Sequence, residues 1–64
     1  MMTELQSLEE QVDARWGSHA YSWGLHKVED HETTMWYWWC GFDKAHWGFA
    51  CTIQESLKAM LEVK

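Results

Sequence analysis

Cys40, His46 and Cys51, joined by His26 or His31, are the residues whose types could do chemistry together, because thiolate and imidazole are the usual zinc ligands. Their spacing matches no zinc module. In the strand register derived below, the two cysteines fall on neighbouring strands but are offset by about 13 Å, at ~3.3 Å per residue. That offset exceeds the roughly 7 Å Cα separation that a disulfide can bridge. The same register puts His46 on the opposite sheet face from Cys40. Both thiols therefore read as core side chains, the usual place of a free cysteine. His19 and His26 could each act as a base, yet no Ser, Cys or carboxylate stands at a spacing that argues for a partner. The expectation is no metal, no cofactor and no catalysis.

If the reactive residues do not form a site, the elements that carry them must explain the chain. Its 64 residues suffice for one domain, residues 1–64, with a small core. Six Trp, two Tyr and two Phe with no Pro, at 47% hydrophobic and 23% charged, mark a folding chain and not a disordered one. No apolar run approaches the roughly 18 residues that span a bilayer, and MMTELQSLEEQ lacks the order of a signal peptide. A cytoplasmic protein without membrane contact is expected.

Leu5, Leu8, Val12 and Trp16 recur at three- and four-residue steps, which predicts a helix over 3–16. Thr3 with Gln6 forms a capping-box pair at its start, and Gly17 stands where a left-handed cap is wanted. From Ser18 the period falls to two, with Tyr21, Trp23 and Leu25 alternating against small residues, which predicts a strand. A polar turn at 29–32 leads into a middle strand over 33–42, and Asp43-Lys44 turns the chain into a third strand over 46–51. Thr52 with Glu55 is a second capping box, ahead of Ile53, Leu57, Met60 and Leu61. The expected fold is α+β, in the order α-β-β-β-α, a three-stranded antiparallel meander with both helices on one face.

Centring the turns on 29–32 and on Asp43-Lys44 pairs Leu25 with Trp36, Trp23 with Trp38 and Tyr21 with Cys40. It also pairs Cys40 with Trp47, Trp38 with Phe49 and Trp36 with Cys51. All of these side chains then share one uncharged face, the one the helices would cover. The other face would carry Ser22, His26, Met35, Tyr37, Trp39, His46, Gly48 and Ala50. There Gly48 and Ala50 would lie under Trp39 and Tyr37, and Met35, Tyr37 and Trp39 would remain as an open aromatic patch of the kind protein partners use.

The net charge of -5 is unevenly placed. Residues 1–16 carry Glu4, Glu9, Glu10 and Asp13 against Arg15, and residues 29–32 carry Glu29, Asp30 and Glu32, while the other segments nearly balance. A helix running back along the next strand would set both clusters on one acidic edge about 20 to 30 Å long. Helix physics does not ask for this. Glu9 and Asp13 are like charges four apart, and Asp13 stands near the helix C-terminus, where the macrodipole disfavours an anion. The second helix instead alternates Glu55, Lys58 and Glu62 favourably. The contrast points to an edge that serves a partner, with solubility of an aromatic-rich chain as the bland alternative.

In length, acidity, element order and lack of motifs the chain resembles the small phage-encoded anti-CRISPR proteins, above all the acidic inhibitors of type I systems, type I-C among them. The resemblance implies a non-enzymatic monomer in a bacterial host cell that occupies a DNA-binding surface of a CRISPR effector complex, where the protospacer-adjacent motif is read, with carboxylates standing in for phosphates. The expected partner is thus a basic DNA- or RNA-binding protein complex, met by Glu4, Glu9, Glu10, Asp13, Glu29, Asp30 and Glu32, with no direct nucleic-acid binding. The rival expectation is a homodimeric or adaptor module that uses the aromatic face around Met35, Tyr37 and Trp39.

Overall fold

The computed structural model describes residues 3–17 and 22–63. Thr3 caps the first helix, α1 (Glu4–Trp16), as expected: its hydroxyl accepts from the Gln6 amide and the Gln6 side chain accepts from the Thr3 amide. Strands β1 (Trp23–Glu29), β2 (Thr34–Cys40) and β3 (His46–Ala50) form an antiparallel sheet in sequence order, and α2 (Ile53–Glu62) starts from Thr52, whose hydroxyl accepts from the Glu55 amide. The fold is α+β in the order α-β-β-β-α. Expectations that fall on Ser18, His19, Ala20 and Tyr21 lie outside the described residues.

Leu8 and Val12 of α1, Leu57 and Met60 of α2, and Cys40 of β2 are the buried apolar core, with Trp23, Leu25 and Trp38 of the sheet packed against it. Those sheet residues share one face, so both helices lie on that side. The helices are tied together at one end. The Trp16 indole N–H donates to the Met60 carbonyl at 2.9 Å, and the Arg15 guanidinium donates to the Met60 and Leu61 carbonyls. These carbonyls belong to the last turn of α2 and have no partner within their own helix, so α1 supplies donors and a cation where the dipole of α2 favours both.

Both hairpin registers differ from expectation. Leu25 pairs with Trp38 and Trp23 with Cys40, a slip of two residues that leaves every side chain on its expected face. The turn sits later because Asp30 closes it: its amide donates to the Thr33 carbonyl at 2.9 Å and its carboxylate accepts from the His31 amide.

The second register differs by one residue, which inverts β3. Cys40 pairs with His46 and not Trp47, and Trp38 with Gly48 and not Phe49. The cause is the connection. A tight turn on Asp43-Lys44 is replaced by the longer segment 41–45, in which Phe42–Lys44 form a 3₁₀ turn and Gly41, Asp43 and Lys44 all take positive φ. Trp47 and Phe49 therefore face outward, Cys51 lies exposed beyond the strand, and His46 stands beside Cys40 on the covered side, its ring 5.6 Å from that of Trp16. The expectation that His46 faces away from Cys40 is corrected by the same inversion.

Packing favours this register. α2 lies over β2 and β3, and Gly48 and Ala50 give it room that Trp47 and Phe49 would fill. The Trp38 ring lies directly on Gly48, so close that a Cβ there would stand 2.7 Å from a ring carbon. The expectation of rings folded over small residues holds in kind but not in pairing: Trp38 covers Gly48, Ala50 pairs with Trp36, and Trp39 covers Gly24.

Candidate functional site

With both helices on one side, the other face of the sheet has no covering element among the described residues. Met35, Tyr37 and Trp39 of β2 alternate onto it, as expected from the sequence. The inversion of β3 adds Trp47 and Phe49, which sequence reasoning had assigned to the core. Trp47 is 61% exposed and Phe49 53% exposed, so the added residues are the more open ones. The signal that could have found them is the small pair Gly48 and Ala50, which suits the helix side better than two large rings.

Tyr37 is the hub of this face. Its ring centroid lies 5.1 Å from that of His26, 5.3 Å from Phe49 and 6.3 Å from Trp47, and Trp47 meets Phe49 edge-on. Trp39 stands apart, turned toward β1 over Gly24. The face thus has a cluster of rings on the β3 side and a lone indole on the β1 side. No charged side chain alternates onto it from β2 or β3.

Beyond Trp39 the connection 41–45 stands up beside the face. Phe42 is 95% exposed, with its ring in solvent. Trp39, Phe42, Asp43 and Lys44 enclose an open hollow of about 300 Å³. The Lys44 ammonium lies 5.3 Å from the centroid of the Trp39 ring, within cation–π range.

The seven expected carboxylates differ in what each meets within the fold. Asp13 is engaged by the fold: its carboxylate accepts from the Trp23 indole N–H at 2.7 Å, which explains an anion near the end of α1 that helix physics disfavours. Glu4 pairs with Lys58 of α2 at 3.2 Å, and Glu29 pairs with Lys27 at 2.8 Å. The Lys27 ammonium lowers the Glu29 carboxyl by hydrogen bonding and by charge. Asp30 is occupied in part by the His31 amide. Glu9, Glu10 and Glu32 are exposed and meet no cation among the described residues.

Among the described residues no three of His, Cys, Asp and Glu come together in a way that could hold a metal ion, and no helix is long and apolar enough to cross a membrane. Cys40 and His46 are cross-strand partners, a pairing the expected register had denied. Burial pushes the Cys40 thiol above its ordinary value despite the nearby Arg15 charge, the reverse of what a nucleophilic thiolate needs. A scan of family models, a search of curated proteins and a search of solved structures each found no match to the chain.

Proposed function

We propose that this chain is a non-enzymatic binding protein whose partner presents a basic surface of the kind that otherwise holds nucleic acid. The observation that carries the reading is an uncovered aromatic sheet face in a chain whose acidic excess is not consumed by its own cations. Tyr and Trp rings offer flat, electron-rich surfaces to guanidinium groups, and surplus carboxylates steer a cationic partner toward them. Three strands at ~4.8 Å and five residues at ~3.3 Å give the face a projected area of only about 240 Å². Doubling this for side-chain relief still falls short of the roughly 800 Å² per partner of a standard interface. A stable complex therefore needs more than the sheet face. The exposed Asp30 and Glu32, at the tip of the hairpin whose second strand carries Met35 and Tyr37, are the groups that would extend it, with Glu9 and Glu10 adding to the steering charge. This also favours a different protein over a second copy of this acidic chain.

The anti-CRISPR proteins that the sequence resembles supply the first partner to test. Type I effector complexes are mixed with target DNA in a gel shift, with this protein added before or after the DNA at low and moderate salt. Loss of the shift only when the protein comes first, fading as salt rises, is the expected result. A shift unchanged with every type I complex overturns the inhibitor reading. It leaves the second reading, self-association through Trp47 and Phe49, which their exposure favours. Light scattering at tens of micromolar then decides: a dimer that Trp47→Ala dissociates supports it, and a monomer removes it.

A further inference from the structure

We infer that the hollow bounded by Trp39, Phe42, Asp43 and Lys44 is a docking site for an arginine side chain of a basic protein segment, and that Lys44 competes with that arginine for the Trp39 ring. Three observations meet here. The hollow, about 300 Å³, is at the small end of the range for binding pockets and is lined by Trp39, Phe42, Asp43 and Lys44. A cation already rests on its aromatic wall, since the Lys44 ammonium lies 5.3 Å from the Trp39 centroid. Phe42 and Asp43 are unused by the fold: the ring is 95% exposed, and the Asp43 carboxylate meets no cation among the described residues.

The loop holds this arrangement through its backbone. Gly41, Asp43 and Lys44 have φ of 87°, 58° and 55°, and the Lys44 and Ala45 amides donate to the Gly41 and Phe42 carbonyls. Positive φ at two adjacent non-glycine residues is uncommon, and the Phe42 that precedes them stands in solvent. A guanidinium suits the hollow better than an ammonium. Its plane stacks on the indole while its forked N–H groups reach a carboxylate, a combination a point charge cannot match.

The natural ligand rests on the proposed function, in that a basic partner supplies the arginine, but the site is testable on this chain alone. A short peptide of alternating glycine and arginine is titrated while the indole N–H resonance of Trp39 and the amide resonances of residues 42–44 are followed. Parallel titrations use the lysine and the citrulline peptides. The arginine peptide is expected to move these signals, the lysine peptide to bind more weakly, and the neutral citrulline peptide not to bind. Lys44→Gln is expected to tighten arginine binding by about two- to five-fold, the scale of an exposed cation–π contact. Phe42→Ala and Asp43→Asn, both on the exposed loop, are each expected to weaken it by about three-fold or more. Lys58→Gln removes the same charge from α2, which packs on the other face of the sheet from Trp39, and is the control. Equal binding of the citrulline peptide, or equal tightening by Lys58→Gln and Lys44→Gln, overturns the site. Neither result depends on the effector-complex assay, so failure of the site and failure of the proposed function are read separately.

Discussion

Gly24 and Gly48 each lie under an indole, yet their surroundings differ in what can yield. A Cβ on Gly48 would meet a carbon of the Trp38 ring at 2.7 Å, and that ring is packed against the core. A Cβ on Gly24 would meet Trp39 at 2.6 Å, but Trp39 lies on the open face and can swing outward. Gly48→Ala is therefore expected to destabilise by about 1 to 3 kcal/mol and Gly24→Ala by clearly less, as read from denaturant midpoints. The cysteines divide in the same way. Cys40 is buried and Cys51 exposed, so iodoacetamide should label Cys51 in the native protein and Cys40 only after unfolding. Because burial raises the Cys40 thiol in the folded state, the fold retains this proton at pH values where the unfolded chain has lost it. The resulting stability is complete below the ordinary thiol value of 9.0 and is lost as pH rises through the raised one. A Cys40→Ala variant, though less stable, should lose less stability than the parent between pH 8 and pH 10, measured by urea unfolding at each pH.

At the level of elements, both helix starts were legible because Thr3 with Gln6 and Thr52 with Glu55 satisfy amides within one turn, a purely local matter. The first hairpin was legible as to face, since its error was an even number of residues. The second was not. Whether Trp47 or His46 faces the helices depends on the parity of the connection 41–45, and three positive-φ residues there make a longer loop than the sequence Asp-Lys suggests. Two of the five large side chains on the open face, Trp47 and Phe49, were hidden by that one residue, while Met35, Tyr37 and Trp39 were legible. The two registers predict opposite outcomes for a polar substitution. With Trp47 outward, Trp47→Ser should cost less than about 1 kcal/mol, whereas Trp38→Ser on the covered face should cost about 3 to 5 kcal/mol. Similar losses for the two would restore the register expected from the sequence.

For the whole molecule, the distribution of charge was legible but its use was not, because ion pairing depends on packing that a sequence does not display. Glu4 reaches Lys58 across the helix pair, and Asp13 is taken by Trp23. Of the seven expected carboxylates, Glu9, Glu10, Asp30 and Glu32 meet no cation among the described residues, and two of these stand at the tip of the first hairpin. Replacing Asp30 by Asn and Glu32 by Gln together should leave stability within about 0.5 kcal/mol, since both side chains are exposed, while reducing the association rate with a basic partner and flattening its salt dependence. Stopped-flow association at two ionic strengths reads the rate, and an unchanged salt dependence would exclude these carboxylates from steering. The bonds from Arg15 and Trp16 to Met60 and Leu61 join residues more than forty positions apart. Hydrophobic and hydrogen-bonding closure of α1 thus has to await residues near the other end of the chain. During synthesis α1 stays without its docking partner until α2 has emerged.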